Sequence, residues 1–262
     1  MTCDLAIVKC VVINLPRAKA RLQAIAGQFN QLNIDFETLE ATDWRDLNEQ
    51  DYKNVDHDAR DREGRRALSP GMVACHLSHR RAIADVASGE PDLTAIFEDD
   101  VVLAANIGTV LRTLQEAYSA GSDFDLVFLH RNKTYLQFVV LETIDENVKL
   151  GITKYSDWGA HGYVISKTAA GKLLSRYPRI VHRCDHTLHA HWESGLNVFS
   201  LHEPVVSHGN DAGDHSFLQE GSHQRVHWSV PKLPRRAASI LREEVLKRRY
   251  FRQKLKKAKL AT

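Results

Sequence analysis

The sequence predicts an α/β fold: an open, mainly parallel (mixed) twisted sheet flanked by helices, followed by a basic helical tail. Three observations predict it. Short β-branched runs alternate with segments whose apolar residues recur at helical spacing, the chain order of a sheet with helices packed on its faces. Over 262 residues, 43% hydrophobic and 26% charged is the balance of a globular chain with a sizeable core. No apolar run approaches the length of a membrane-spanning helix.

Residues 5–15 (LAIVKCVVINL) are nearly all apolar, the pattern of a strand covered on both faces, and Pro16 stops the run. Residues 18–30 carry Leu22, Ile25, Ala26 and Phe29 at helical spacing, and residues 34–39 alternate as a short strand. Residues 43–68 are dense in charge and are expected to form a mobile surface segment. Pro70 opens a second helix, with Met72, Val73, Cys75, His76, Ile83 and Val86 for its apolar face, and Gly89 closes it. A short apolar strand at 94–97 runs into Glu98-Asp99-Asp100. A helix at 107–118, a buried strand at 124–129 and paired strands at 135–142 and 148–155 follow. A strand at 162–166, helices at 167–176 and 187–193, and a strand at 198–201 complete a unit spanning 1–234.

The formal net charge of +2 divides into +9 on residues 235–259, where eleven Lys and Arg stand against Glu243 and Glu244, and −7 on the rest. A nucleic-acid-binding domain carries its positive charge on the folded surface, so nucleic acid is not an expected partner. The tail, 235–262, mixes Ile240, Leu241, Val245, Leu246, Tyr250, Phe251 and Leu255 with cations. One reading is a basic amphipathic helix lying on an anionic membrane, at about 1 kcal/mol per cation. The other is a terminal helix packed on the body. Asp4 precedes the first apolar run, Lys9 and Asn14 interrupt it, and no small-residue cleavage site follows, so no export signal is read there. Cys3, Cys10, Cys75 and Cys184 show no CxxC spacing, and reduced thiols in the cytoplasm are expected.

Glu98-Asp99-Asp100 is the sharpest chemical feature. Ligands of open α/β sheets bind beyond the carboxyl ends of strands. Adjacent carboxylates repel, and either proton uptake or a hard divalent cation relieves them. A metal site and a solvated acidic turn both satisfy the triplet. Most of the fourteen histidines read as surface or hydrogen-bonded core residues, since no zinc motif spacing occurs. His208 differs, because it opens His208-Gly209-Asn210 after a strand-like segment, where glycine permits close backbone approach to a diphosphate. Asp185 is either a helix N-cap or a base that deprotonates an acceptor hydroxyl. Ser78 and His79 are adjacent and point to different helix faces, a poor nucleophile–base pair. GxSxG, P-loop and GxGxxG motifs are absent, which removes the main support for serine hydrolases, P-loop kinases and Rossmann dehydrogenases.

Five elements in register resemble glycosyltransferase family 25, the lipooligosaccharide and collagen galactosyltransferases. Val12-Ile13-Asn14-Leu15 with Arg17 and Arg21 is similar to that family's N-terminal INL…R element, and residues 36–43 (FETLEATD) to its Ala-x-Asp-Gly segment. Residues 68–79 (LSPGMVACHLSH) resemble its G-E-I-A-C-x-x-S-H helix, residues 96–101 (IFEDDV) its EDD metal motif, and residues 159–173 its G-x-x-x-Y-x-I-S element. The resemblance covers about residues 7–210, and departs from the pattern at Met72, where the family has Glu, and at Trp44, where it has Gly.

The resemblance implies a GT-A-like fold, a UDP-sugar donor (most often UDP-galactose), a divalent metal (Mn²⁺ first, Mg²⁺ second) and inversion at the anomeric carbon. It implies that Glu98, Asp100 and His208 hold the metal. Asn14, Leu15, Arg21, Ala41, Thr42, Asp43, Ser78, Asp99, Gly209 and Asn210 would lie along the donor, and Asp185 would be the base. The expected acceptor is a glycolipid or oligosaccharide such as a lipooligosaccharide core, reached from the cytoplasmic face of the inner membrane. An inactive family member that only binds donor or glycan, and a metal-dependent phosphohydrolase, are the two alternatives.

Overall fold

The computed structural model describes residues 8–132, 137–146, 148–153, 157–209 and 232–260. Strand β1 (Lys9–Asn14) is the apolar run expected near the N-terminus, buried along nearly its whole length. Helix α1 (Lys19–Gln31) buries Ile25 and Phe29, and β2 (Glu37–Glu40) returns parallel to β1. Two short helices follow, α2 (Glu49–Tyr52) and α3 (His57–Arg62). Helix α4 (Pro70–Ser88) starts where Ser69 caps the Met72 amide, with Pro70 in its first turn, and stops at Gly89.

Next come β3 (Leu93–Glu98), β4 (Val101–Leu103), α5 (Ile107–Ser119) and β5 (Leu126–Phe128). Strands β6 (Phe138–Thr143) and β7 (Lys149–Thr153) form the expected hairpin. Then follow β8 (Gly162–Ser166), α6 (Lys167–Arg176), α7 (Cys184–His189), α8 (His191–Ser194), β9 (Val198–Leu201), β10 (Val206–His208) and the terminal helix α9 (Lys232–Leu260).

Eight strands form one mixed sheet in the order β2-β1-β3-β8-β5-β9-β7-β6. The parallel trio β2-β1-β3 joins the rest through antiparallel β8, and only β7 and β8 run against the common direction. Strand residues alternate between two cores. Val12, Phe97, Val127 and Val164 meet α1 and α5 on one face, while Ile13, Ile96, Phe128 and Ile165 meet α4 and α6 on the other. This is the layered α/β arrangement expected, consistent with a GT-A-like fold.

The charged segment 43–68 departs from the expectation of a mobile surface stretch. Asn48 forms a capping box at α2, Asp56 caps α3, and Val55 pairs with Ile180 while being almost fully buried. Arg60 is buried as well, donating to the carbonyls of Val181 and Arg66. Its guanidinium works as a bridge between two backbone stretches, a use of charge that composition does not disclose.

The reading of the tail as a helix packed on the body holds for one face. Helix α9 docks one face: Glu243 is buried against His186, Lys247 lies 4.6 Å from the Trp192 ring, and Tyr250 and Lys254 bond Leu196 and Asn197. Its other face leaves Ile240, Leu241 and Val245 exposed among arginines. No described helix is long and apolar enough to cross a membrane.

Candidate active site

Parallel pairing brings the carboxyl ends of β1, β2 and β3 to one edge, since Asn14 is opposite Glu40 and Ile13 opposite Glu98. The Ala41 amide extends this ladder by donating to the Asn14 carbonyl at 2.8 Å. Above that edge lies a cleft open to solvent. Ile13, Leu15 and Arg21 line it from the β1–α1 side, Ala41, Thr42 and Trp44 from beyond β2, and Glu98, Asp99 and Asp100 from the end of β3. Gly71, Ala74, Cys75, Ser78 and His79 of α4 form the remaining wall; their spacing of three to four residues puts them along one broad side of the helix, so the adjacent Ser78 and His79, expected on different faces, both border the cleft.

Eight of the residues expected at the donor or metal therefore line one cleft: Leu15, Arg21, Ala41, Thr42, Ser78, Glu98, Asp99 and Asp100. Others support it from outside. Buried Asn14 donates from Nδ2 to Asp99 Oδ2 at 2.6 Å, and Arg21 Nη1 reaches Asp99 Oδ1 at 3.4 Å and Asp100 Oδ2 at 3.3 Å. Ser78 Oγ accepts from the Thr42 amide at 2.8 Å and donates to the Ala74 carbonyl, tying the loop after β2 to α4. Asp43 turns away from the cleft: it accepts from Arg17 Nε at 2.6 Å and caps the short 3₁₀ turn Trp44–Asp46. Asp43 thus positions Trp44, whose indole Nε1 is buried with no hydrogen-bond partner among the described residues. Met72 is not part of the cleft lining, so that departure from the family pattern falls outside it.

The three acids have different surroundings. Glu98 Oε1 lies 3.2 Å from His79 Nε2; burial pushes its carboxyl up, but the His79 hydrogen bond and charge outweigh it and hold the pKa to about 2. Asp99 is raised by burial, against the pull of Arg21 and Asn14. Asp100 is raised to about 6, by burial and by the neighbouring Glu98. Its Oδ1 is buried and accepts no hydrogen bond among the described residues. His208 Nδ1 stands 4.0 Å from that oxygen and 3.4 Å from the Asp100 backbone carbonyl.

His208 arrives there because β10 pairs antiparallel with β4, placing His208 opposite Val101. The Gly209 amide donates to the Asp100 carbonyl at 2.8 Å, and a Cβ on Gly209 would stand 3.0 Å from that oxygen. Glycine here lets the two backbones meet, and its amide is spent on Asp100. Asn210 lies outside the described residues, as does Cys3. Of the expected metal trio, Asp100 and His208 face each other, whereas Glu98 turns to His79. Asp185 does not line the cleft; it sits in the first turn of α7 and accepts from Arg183 through both carboxylate oxygens. It still acts electrostatically on Cys75, which is part of the cleft wall.

Cys75 and His79 are cleft residues that lie in the helix resembling G-E-I-A-C-x-x-S-H but were assigned no role. The signal was present: they stand four apart on α4, one turn, whereas the adjacent pair Ser78-His79 drew the attention.

Comparison with known proteins accords with this geometry. The family model "Glycosyltransferase family 25 (LPS biosynthesis protein)" matches residues 7–188. The chain is 30% identical over 173 residues to procollagen galactosyltransferase 2 from Homo sapiens, covering 64% of this chain and 27% of that protein. It is 25% identical over 191 residues to lipooligosaccharide biosynthesis protein lex-1 from Haemophilus influenzae, covering 63% and 62%. It is 25% identical over 228 residues to a Mus musculus protein named inactive glycosyltransferase 25 family member 3, covering 80% and 38%. In each case the chain spans less than two thirds of the relative's length. A cleft assembled from the elements that carry the family's motifs, and a family match over most of the chain, lead to one assignment: the chain belongs to glycosyltransferase family 25.

Proposed function

We propose that the chain is a metal-dependent, inverting glycosyltransferase that moves a sugar, galactose from UDP-galactose, onto a cell-surface glycan such as a lipooligosaccharide core. The observation that carries this reading is the buried Asp100 Oδ1, which accepts no hydrogen bond among the described residues and stands 4.0 Å from His208 Nδ1, in a cleft lined by Arg21 and Ser78. Burial and the neighbouring Glu98 raise the Asp100 carboxyl to about 6 in spite of Arg21 and His208, and a carboxylate–imidazole pair suits a divalent cation. Asp100 and His208 would hold Mn²⁺ or Mg²⁺, which when bound supplies charge against the pyrophosphate as the sugar–phosphate bond breaks.

The remaining roles belong to the chain's own side chains. Arg21, fixed against Asp99 and Asp100, adds a cation beside the leaving group. Leu15, Ala41, Thr42 and Trp44 form the wall for the nucleoside, where an indole face can stack on a base. In an inverting displacement the acceptor hydroxyl attacks the anomeric carbon from the face opposite the diphosphate. The new glycosidic bond forms as the bond to UDP breaks, and the hydroxyl proton passes to a carboxylate. Asp185, held by Arg183 outside the cleft lining, is the base that the family resemblance implies.

The exposed face of α9 supports attachment to the cytoplasmic face of the inner membrane, where a lipid-linked acceptor would be met. It presents Arg235, Arg242, Arg248, Arg249, Arg252 and Lys256 with Ile240, Leu241 and Val245, a mixture that binds anionic lipid surfaces.

The test is release of UDP from UDP-galactose, measured with and without an oligosaccharide acceptor and with and without a chelator. Acceptor-dependent, chelator-sensitive release supports the reading. Release that needs no acceptor indicates a phosphohydrolase, and donor binding without release indicates an inactive member like the relative named so.

A further inference from the structure

Beside Asp100 and His208, the cleft brings together a second set of metal-binding side chains. Cys75 and His79 share one face of α4, and Glu98 ends β3 opposite them. One ligand atom from each lies within 4.8 Å of the others, and among the described residues this is the one trio of His, Cys, Asp or Glu side chains so gathered. Cys75 and Glu98 are half-buried and open to the cleft, while His79 is buried behind them. The His79 ring is also held from its far side. Its Nδ1 lies 3.1 Å from the Tyr163 hydroxyl, leaving Nε2 directed at Glu98 Oε1 at 3.2 Å. A second partner of this kind fixes the ring orientation and tautomer of a metal-bound histidine.

We propose that Cys75, His79 and Glu98 form a Zn²⁺ site in the wall of the cleft, with a coordination position open to the cleft itself. One sulfur, one nitrogen and one oxygen are a donor set for zinc, whereas Mg²⁺ and Mn²⁺ favour oxygen. Three protein ligands with a fourth position free is the form in which zinc accepts a water or a ligand atom. The thiol proton and the proton shared by His79 and Glu98 leave as the ion enters. Burial, together with Glu98, raises the Cys75 thiol well above its usual range, and a directly bound cation reverses that preference.

Zinc held there, with its open position facing the space the donor would occupy, competes with the donor, so sugar transfer slows in zinc and recovers when zinc is chelated. That consequence rests on the donor-site reading above; the binding itself does not.

The experiment titrates the metal-free full chain with Co²⁺ as a spectroscopic substitute for zinc. The expected result is a sulfur-to-cobalt charge-transfer band that saturates at one equivalent of sulfur-bound cobalt and that Zn²⁺ abolishes by displacement. Cys75→Ser and Cys75→Ala lose that band and weaken Zn²⁺ binding by about tenfold or more in calorimetry, while His208→Ala retains both. A wild-type chain without the band, or a band that survives both Cys75 variants, overturns the proposal. Failure of the donor-site reading would show differently, as UDP-galactose turnover indifferent to Asp100, and would leave the cobalt spectrum unchanged.

Discussion

Asp100 and His208 lie 108 residues apart in the chain, yet Nδ1 of His208 stands 4.0 Å from Oδ1 of Asp100. Three features hold them there: the ladder between β4 and β10, the Gly209 amide on the Asp100 carbonyl, and Arg21 on the other carboxylate oxygen. Long-range pairing thus brings an acid and an imidazole together, with one acid oxygen that accepts no hydrogen bond among the described residues.

Trp44 gives a prediction about donor affinity. Its ring lines the cleft, and the Arg45 guanidinium carbon lies 5.8 Å from the ring centroid. Stacking of a base on an aromatic side chain contributes about 1–3 kcal/mol. Trp44→Gly, which restores the residue of the family pattern, is expected to weaken UDP binding by roughly tenfold, read by calorimetry. Unchanged affinity would place the base against another wall.

Asp185 gives a prediction about the chemical step. Asp185→Asn keeps the shape of the side chain but removes its capacity to take a proton. UDP-galactose should still bind with its normal affinity, and transfer should fall by at least about a hundredfold. Transfer at the normal rate would move the base elsewhere, with Asp157, Glu193 and Asp211 the next acids to replace.

Buried histidines give a prediction about pH. His76 is buried with Nδ1 3.1 Å from the His182 carbonyl, and burial, aided by His79 and Arg80, lowers its pKa to about 3. Burial and His161 lower His130 to about 3 as well. Unfolded, each takes a proton near pH 6.5. Their stabilisation is therefore complete above pH 6.5 and is lost as the pH falls toward 3. Glu243 acts later: burial raises its carboxyl, but hydrogen bonds from His186 and Lys247 win and hold it to about 2, so its contribution is lost between about 4.5 and 2. Urea unfolding at pH 7 and pH 5 should differ by about 2 kcal/mol per such histidine. His76→Gln should flatten the slope, and an unaltered slope would contradict this assignment.

The outward face of α9 gives a prediction about location. Replacing exposed Arg248, Arg249 and Arg252 with Gln removes three cations without touching the docked residues Glu243, Lys247 and Tyr250. At about 1 kcal/mol per cation, binding to vesicles containing phosphatidylglycerol should weaken by about a hundredfold. Vesicles of neutral lipid should bind neither form. Equal binding by both proteins would sink the membrane role of this face.

Much of the fold was legible because burial leaves a period in the sequence. Helix α6 and strand β8 occupy the segments their patterns marked, and Pro70 and Gly89 bracket α4 as punctuation predicts. The acids at the end of β3 were legible for the same reason, since a buried strand that runs into carboxylates must end at an edge. Segment 43–68 was not, because Val55 and Arg60 are buried by partners near residue 180 that no local pattern reveals. Strand β4 was missed too, as a three-residue piece whose existence depends on β10 across the fold. Asp43 and Gly209 were expected at the donor, yet each spends its polar group on a neighbour within the chain. Residue type marks chemical capacity, whereas long-range pairing decides where that capacity is used.

The most direct measurement is UDP release from UDP-galactose by Asp100→Asn, with an acceptor glycan and Mn²⁺ present, alongside its thermal unfolding. Asparagine keeps the volume and the Gly209 contact to the backbone carbonyl while removing the charge. The account predicts an intact melting transition, loss of Mn²⁺-dependent UDP binding and loss of turnover. Turnover at the wild-type rate in that variant would contradict it.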